Sequence, residues 1–249
     1  MAPRTSILTA TRDRPDYLAE AIASVEAQTD PDWEHLVYDN GSDPRTRDLL
    51  RRAKAENPTQ FFYTSPGCWT ELPVSYYWNV LVGLSRGQYV TLLDDDNRKD
   101  PRFLERMVGV LEAWEHIGAV SCGWRLIDEK GAVTGERHWN RATSLRTLWQ
   151  SNTIDSNAFV VRRSVLDGIG SFATSLATCE DWHLIIRLFR ACRMMHLEDT
   201  LLDYRDHPGA RSRTAGKSHD TWARIRRDLF PEGVPEGALD NAIHEGSYK

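Results

Sequence analysis

The sequence predicts an α/β fold in which a central, mostly parallel mixed sheet is flanked by helices. Short apolar runs alternate with helical patterns over residues 1–100, and this alternation is typical of successive βαβ units. Polar residues follow the ends of several predicted strands, which is where α/β sheets bind ligands. With 249 residues, 41% of them hydrophobic, the chain is long enough for one large domain or two small ones.

The first half is predicted to follow the order β-α-β-α-β-α-β-α. Pro15 suits the first turn of a helix, and Leu18, Ile22 and Val25 recur at spacings that place them on one helical face. The other helices are expected at 45–56, 74–85 and 101 to about 116, and the strands at 6–9, 35–38, 61–64 and 89–93.

Beyond Gly118 the pattern changes to that of a mixed sheet with longer connections. The basic stretch at 204–227 forms either a mobile lid over an anion or, at about 217–229, a solvated amphipathic helix. The other elements of this half are expected to be strands at 119–127, 157–161 and 195–204 and a helix at 180–192.

Composition excludes several classes of protein. A net charge of −5 argues against a general nucleic-acid binder, which needs a basic surface. No apolar run approaches the roughly 20 residues of a spanning helix, so no integral membrane segment is expected. The four cysteines form no Cys-x-x-Cys pair, which argues against a zinc knuckle or a redox motif. The N-terminal residues leave no room for a signal peptide, and a cytoplasmic location is therefore expected.

The most informative segment is the run Leu92-Leu-Asp-Asp-Asp-Asn97 at the end of a predicted strand. Alternate residues of an extended chain point the same way, so Asp94 and Asp96 would converge while Asp95 faces elsewhere. Two carboxylates this close repel each other unless a proton or a cation lies between them. Mg²⁺ or Mn²⁺ would remove that repulsion and keep positions open for phosphate oxygens. The alternative is a solvated acidic turn that caps the next helix.

Two other predicted strands also end in polar loops. Strand one runs into Thr9, Ala10, Thr11 and Arg12, whose small residues would let a ligand approach the backbone. Strand two ends at Asp39, in an Asp-Asn-Gly-Ser sequence that is also an ordinary turn. Since the carboxyl ends of neighbouring parallel strands share one edge of a sheet, the three loops describe one crevice.

These segments resemble the successive motifs of family 2 glycosyltransferases of the GT-A fold, over residues 6–207. The resemblance implies an inverting, metal-dependent enzyme that moves a sugar from a nucleotide diphosphate donor, UDP or dTDP, to a hydroxyl of a small-molecule or glycan acceptor. The motifs are Ser6-Ile-Leu-Thr-Ala-Thr-Arg-Asp-Arg-Pro15, Tyr38-Asp-Asn-Gly-Ser42, Gly87-Gln-Tyr-Val-Thr-Leu-Leu-Asp-Asp-Asp96, Gly170-Ser-Phe172 and Cys179-Glu-Asp-Trp-His-Leu184.

The resemblance also implies a plan for the domain. Residues 1–249 would form a single GT-A domain, with a nucleotide-sugar-binding half at 1–118. An acceptor-binding and catalytic half would follow at 119–213, and a C-terminal helix and tail at 214–249. In the first half, the resemblance places nucleotide-sugar contacts at Thr9, Ala10, Thr11, Arg12, Asp39, Asp94 and Asp95.

The same resemblance assigns the ion and the catalytic groups. Asp96, with Asp94, would anchor Mn²⁺ or Mg²⁺, and His207 either completes the metal shell or is a solvated loop residue. Asp181 would be the general base and Glu180 would orient the acceptor, although an acid at a helix start is also an ordinary cap. The remaining assignments are Arg205, Arg211 and Arg213 as a diphosphate clamp on a lid, and Trp182 on the acceptor side.

Two other functions remain open at this point. A sugar nucleotidylyltransferase also holds Mg²⁺ at strand ends, but it would want a Gly-rich triphosphate loop that residues 9–14 lack. A non-catalytic nucleotide-sugar-binding module is the other alternative. Leu72-Pro73 stands where many family members have a basic residue, which leaves base recognition open. The sugar, the acceptor and the oligomeric state, including a possible homo-oligomer, are not specified.

Overall fold

The computed structural model describes residues 2–41, 43–67, 70–137, 144–214, 219–233 and 242–244. Ser42 of the second motif and parts of the C-terminal tail lie outside this range. None of the described helices is long and apolar enough to cross a membrane.

Strands and helices alternate through the first half, as predicted. Helix α1 starts at Pro15 and buries Leu18, Ala21, Ile22 and Val25. The elements are β1 (Thr5–Thr11), α1 (Pro15–Glu26), β2 (Trp33–Asp39), α2 (Pro44–Glu56), β3 (Phe61–Thr64), α3 (Val74–Leu84), β4 (Tyr89–Leu92), β5 (Arg98–Lys99) and α4 (Phe103–Ala113).

Helix α4 begins later than predicted. Pro101 lies in a turn in which the Phe103 N–H donates to the Asp100 carbonyl at 2.9 Å. The Asp100 side chain accepts from the Arg102 N–H at 3.0 Å, so this acid organises the turn before the helix. Strand β5 was not predicted, because two residues carry no periodic signal.

The second half contains the predicted long strands and the predicted helix at 180–192. A 3₁₀ turn, Ser156–Ala158, takes the place of the first residues of the strand expected at 157–161. The elements are β6 (Ile117–Ile127), β7 (Val133–Arg137), α5 (Leu145–Gln150), β8 (Phe159–Arg162), α6 (Arg163–Ile169), α7 (Glu180–Ala191), β9 (Arg193–Arg205), α8 (Arg211–Thr214), α9 (His219–Leu229) and β10 (Ala242–His244).

The described strands join into one mixed sheet in the order β10-β9-β6-β8-β4-β1-β2-β3, with β5 paired to β9 and β7 to β6. Strands β3, β2, β1 and β4 are parallel, and Leu8 of β1 lies opposite Leu36 of β2 and Leu92 of β4. Strand β8 runs antiparallel to both β4 and β6 and so joins the two halves. The carboxyl ends of β1, β2 and β4 therefore lie along one edge.

Helices cover both faces of the sheet. Leu8 of β1 packs in one apolar cluster with residues of α3 and α7, whereas its neighbour Ile7 packs in another with residues of α4. Val161 and Val160 of β8 divide in the same way, because successive side chains of a strand point to opposite faces. With both faces buried, the strand ends are the places where this sheet presents polar groups to a ligand.

Candidate active site

A cleft of about 310 Å³ opens at the carboxyl end of β4, between the two halves of the chain. This cleft brings together the acids that the sequence predicted as site residues in each half of the chain. A second cleft of about 230 Å³ is lined by the loop after β1 and shares Arg14 and Asp95 with the first. The acids that line the main cleft are Asp94, Asp95, Asp96, Asp155, Glu180 and Asp181.

The end of β1 contributes unequally to the second cleft. Ala10, Thr11 and Arg12 line it, and the Thr11 hydroxyl donates to Asp95 Oδ2 at 2.8 Å. Thr9 is fully buried in the sheet, where its hydroxyl hydrogen-bonds His35 Nε2 at 2.9 Å. The structure therefore places the side chain of Thr9 beneath the loop that the sequence predicted as a binding element.

Asp39, at the end of β2, is fully buried. Its Oδ1 accepts from the Gly41 N–H at 2.9 Å, while Oδ2 has no hydrogen-bond partner among the described residues. Burial raises the pKa of this carboxyl. Burial of a carboxylate oxygen without a donor is unfavourable. Because Oδ2 of Asp39 has no partner among the described residues, it can accept an N–H from a ligand.

Asp94 is held by Asn157, which is fully buried beside β8. The Asn157 side chain accepts from the Asp94 N–H and donates from Nδ2 to Asp94 Oδ2 at 2.8 Å and to Asp155 Oδ1 at 2.9 Å. Burial, followed by the charge of Asp96, raises the pKa of Asp94 to about 8. The amide thus fixes a carboxyl group whose charged form is unfavourable by itself.

Asp95 and Asp96 share one guanidinium group. Arg14 Nη1 lies 2.9 Å from Asp96 Oδ2 and 3.3 Å from Asp95 Oδ1, while Nη2 donates to the Gly209 carbonyl at 2.8 Å. His207 Nε2 lies 3.1 Å from the same Asp96 oxygen. Burial, followed by the charge of Asp96, raises the pKa of Asp95 to about 6. The structure therefore brings together the predicted acids and His207.

These residues fit a divalent cation. Within the described part of the chain, no three His, Cys, Asp or Glu side chains are grouped so that they alone would hold a metal ion. Mg²⁺ keeps several waters and commonly uses one or two carboxylates together with substrate phosphates, so a complete protein cage is not required. The raised pKa of Asp94 reflects, after burial, its repulsion from Asp96. A cation between the two carboxylates would remove that repulsion.

The second acidic group starts α7. Glu180 is buried, and Arg211 Nη2 lies 2.6 Å from both of its carboxylate oxygens. Asp181 lines the cleft, and its Oδ2 accepts from Asn152 Nδ2 at 3.0 Å. Burial, followed by the charge of Glu180, raises the pKa of Asp181 to about 7. Asp181 is therefore able to exchange a proton near neutral pH.

Arg205 lines the main cleft, but it is fixed at the end of β9 and does not lie on a lid. Its side chain is 1% exposed, and its guanidinium donates to the carbonyls of Asp96, Asp128 and Glu129 and to Glu20 at 2.5–3.1 Å. The guanidinium holds the backbone of the acidic run through the Asp96 carbonyl, because β9 extends through Arg205 and buries its side chain. The assignment of Arg205 to a mobile lid therefore needs correction.

The two other arginines of the predicted clamp lie on α8. Arg213 forms an ion pair with Asp206 at 2.6 Å and is exposed. Arg211 lines the main cleft beside Glu180. The amphipathic helix that was the alternative to a lid at about 217–229 corresponds to α9 (His219–Leu229), and residues 215–218 lie outside the described range.

The acceptor-side candidate Trp182 forms part of the cleft wall. It is 1% exposed, its indole Nε1 donates to the Leu148 carbonyl at 2.7 Å, and its ring centroid is 5.1 Å from that of Trp222. Trp78 and Phe172 line the same wall. The indole is therefore fixed by the scaffold and presents an apolar surface.

Sequence reasoning missed the polar residues that hold the acids. Arg14 lies within the motif at residues 6–15, but the sequence gives no sign that it contacts the acids after β4. Asn152 and Asn157 lie in a stretch without a recognisable motif, and pairwise contacts between distant segments bring them to the cleft. Asp155, which lines the cleft beside them, was also not singled out.

Comparisons with known proteins identify the family of the chain. A family model described as Glycosyl transferase family 2 matches residues 6–173. An uncharacterized glycosyltransferase of Rickettsia prowazekii is 23% identical over 248 residues, which cover 93% of this chain and 74% of the relative.

Solved structures share the fold. Residues 1–349 of S. aureus TarS, in complex with UDP-GlcNAc, superimpose with a TM-score of 0.72 at 18% identity, over 94% of this chain and 68% of that one. This chain spans 41% of a longer TarS structure. The mannosyltransferase PcManGT of Pyrobaculum calidifontis, in complex with GDP-Man and Mn²⁺, gives a TM-score of 0.70 at 16% identity, over 96% of this chain and 68% of that one. The predicted GT-A fold is confirmed.

Proposed function

The chain belongs to glycosyl transferase family 2, and on that premise we propose that it is an inverting, metal-dependent transferase with Asp181 as its general base. The donor is a nucleotide diphosphate sugar, with UDP or dTDP as the nucleotide, and the acceptor is a hydroxyl of a small molecule or a glycan. The observation that carries the proposal is the pair of acidic groups that line one cleft, Asp94 to Asp96 and Glu180 to Asp181.

The donor nucleotide is assigned to the second cleft and to residues 1–118. Ala10 to Arg12 would form the wall around the base and the ribose, and Asp95 would accept a hydrogen bond from a ribose or sugar hydroxyl. The partnerless Oδ2 of Asp39 supports a role in base recognition, because uracil and thymine each present a single ring N–H. A related fold binds UDP-GlcNAc, which agrees with a uridine donor.

The diphosphate is assigned to the end of β4. Asp96 and Asp94 would hold Mn²⁺ or Mg²⁺, with His207 beside them. When bound, the ion supplies Lewis-acid stabilisation of the charge on the leaving nucleoside diphosphate. Arg211 and Arg213, which follow β9, would add positive charge from the lid side. PcManGT, whose fold is similar, was solved in complex with GDP-Man and Mn²⁺, which supports a divalent cation in the proposed reaction.

The acceptor is assigned to the opposite wall and to residues 119–213. Asp181 would take the proton from the acceptor hydroxyl while that oxygen attacks the anomeric carbon, on the side opposite to the leaving diphosphate. The new bond forms as the old C–O bond breaks, and the configuration at that carbon inverts. Glu180, fixed by Arg211, orients acceptor groups, and Trp182 contributes to the apolar wall.

A donor screen followed by a donor-hydrolysis assay tests the proposal. Thermal shift with UDP, dTDP and GDP, each with Mn²⁺, is expected to show the largest stabilisation with UDP or dTDP. Release of the nucleoside diphosphate from the corresponding sugar donors should then require Mn²⁺ or Mg²⁺ and should fall to background in Asp96→Ala. Asp48→Ala, which alters an exposed acid on α2, is the matched control and should keep full activity. Hydrolysis that is unaffected by chelation and by Asp96→Ala would contradict the metal assignment.

A further inference from the structure

Arg14 already neutralises the acids to which the divalent ion is assigned. It lies immediately before α1 and reaches across to the end of β4, where Nη1 bonds Asp96 at 2.9 Å and Asp95 at 3.3 Å. These carboxylates are largely buried, with side-chain exposures of 13% and 7%, whereas Arg14 is 32% exposed. The acids are therefore fixed in place and the arginine has room to turn.

The guanidinium and the divalent ion cannot share Asp96 without cost. Both lone-pair directions of Asp96 Oδ2 are already used, by Arg14 at 2.9 Å and by His207 at 3.1 Å. An ion on either Asp96 oxygen would lie within a few ångströms of the positively charged guanidinium. Two like charges at that separation in a partly buried site repel strongly.

We propose that Arg14 is a resident counter-cation of the acidic run, which gives up Asp96 when the divalent ion binds and thereby sets the affinity of the site for that ion. The inference rests on the proposed metal dependence. It assigns to Arg14 a role distinct from that of a permanent support for the acids, because a permanent support would strengthen ion binding rather than oppose it.

The same side chain connects ion binding to the segment after β9. Arg14 Nη2 donates to the carbonyl of Gly209 at 2.8 Å, and Gly209 lies between His207 and Arg211 on the chain. When Nη1 leaves Asp96, the guanidinium rotates and the Gly209 bond changes with it. The departure of Arg14 from Asp96 is thus expected to loosen the Gly209 carbonyl from the acidic run, while His207 keeps its own contact with Asp96.

Binding of Mn²⁺ alone, followed by the electron paramagnetic resonance signal of the free ion, tests this inference without a donor. Arg14→Gln keeps hydrogen-bond donors in place but removes the charge, and it is expected to bind Mn²⁺ on the order of tenfold more tightly than the wild type. Without metal, the same variant should melt at a lower temperature, because the acids lose their cation, and saturating Mn²⁺ should restore more of its melting temperature than it adds to the wild type.

Two further variants separate charge from fold. Arg14→Lys keeps the charge and should bind Mn²⁺ about as the wild type does. Arg45→Gln removes an exposed arginine whose partner, Asp16, is also exposed, and it reports the effect of net charge alone. Equal or weaker Mn²⁺ binding in Arg14→Gln than in Arg45→Gln would overturn the inference, as would equally tight binding in Arg14→Gln and Arg14→Lys.

The outcome also distinguishes this inference from the proposed function. If Mn²⁺ binding is lost in Asp96→Asn but unchanged in Arg14→Gln, the inference about Arg14 is wrong and the metal assignment stands. No Mn²⁺ binding in the wild type, with or without UDP, removes the metal assignment itself and the inference with it.

Discussion

The cleft contains two clusters of acidic residues whose carboxylates have different partners. The strand-end acids, Asp94 to Asp96, follow β4, and the helix-start acids, Glu180 and Asp181, begin α7. At the strand end, one arginine is shared between two carboxylates and a buried amide holds the third. At the helix start, Arg211 bonds both carboxylate oxygens of Glu180, and Asp181 accepts from the side-chain amide of Asn152.

The difference shows that neighbouring side chains can give chemically identical carboxyl groups different roles. Shared cationic contacts leave the strand-end acids as a cluster that suits a replaceable cation. The ion pair between Arg211 and Glu180 leaves Asp181, whose pKa is raised by burial and by the charge of Glu180, able to accept a proton. Burial is the first cause of the raised pKa at Asp94, Asp95 and Asp181 alike, so the neighbours, rather than burial, separate the roles.

The largest expected effect comes from removing charge at the strand end. Asp96→Asn should lower the transfer rate by about 10³-fold or more, because ion-assisted stabilisation of the leaving diphosphate amounts to several kcal/mol. The measurement is the initial transfer rate over a series of Mn²⁺ concentrations. A rate that excess Mn²⁺ restores fully would show that Asp96 only adjusts affinity, and the contrast between the two acidic groups would weaken.

The next effect comes from the helix start. Asp181→Asn should lower the transfer rate by about 10²-fold or more, since general bases typically contribute that much. The variant should also melt at a higher temperature than the wild type at pH 8, because it removes a buried charge that is repelled by Glu180. Glu180→Gln is the matched comparison. Equal losses in the two variants would contradict the assignment of the base to Asp181.

The strand-end acids were found from the sequence because strand and cluster coincide. Apolar runs at 61–64 and 89–93 predicted β3 and β4 closely, and an acidic run after a buried strand indicates a ligand site in an α/β sheet. Likewise, the helix-start acids precede a strongly amphipathic helix, so their position was predictable. What identified them as catalytic candidates was the resemblance to a family, since an acid at a helix start is otherwise an ordinary cap.

The partners of the acids were not predictable, because they depend on tertiary contacts. Asn157 meets Asp94 across 63 positions of the chain, and Arg14 meets Asp96 across 82. Arg205 illustrates the opposite error: a basic residue near a predicted lid turned out to be fixed inside, because β9 continues through it. The short elements β5, β7, α5 and α6 carried too few periodic residues to predict.

The dependence of the transfer rate on pH is a smaller expected effect, but it tests the role of Asp181 more specifically. The base acts as a carboxylate, and the pKa of Asp181 is raised to about 7, so the rate should rise with pH through that value. Below it, the rate should fall about tenfold per pH unit, because only the ionised fraction of the base is active. Measurement of the maximal rate between pH 5.5 and 9 tests this directly. A flat profile across pH 6–8 would argue that another group accepts the proton.

The smallest expected effect comes from the hydrogen bond to the base. The side-chain N–H of Asn152, which lies 3.0 Å from Asp181 Oδ2, favours the charged form of Asp181, and Asn152→Ala removes it. The midpoint of the pH profile should therefore move upward by less than about one unit, with a loss of only a few fold in rate at pH 9. Thr134→Ala, in which an exposed hydroxyl on β7 is removed outside the cleft, should leave the midpoint unchanged. A downward shift in Asn152→Ala would contradict the role of this amide.

The division of labour between the two acidic groups is tested most directly by calorimetric titration of UDP, or of dTDP if the donor screen selects it, with and without Mn²⁺. The titration is made with Asp96→Asn and with Asp181→Asn. Asp181→Asn is predicted to retain the Mn²⁺-dependent affinity of the wild type while losing transfer, and Asp96→Asn to lose the dependence on Mn²⁺. If Asp181→Asn lost Mn²⁺-dependent binding as completely as Asp96→Asn, the two groups would not have the separate roles proposed for them.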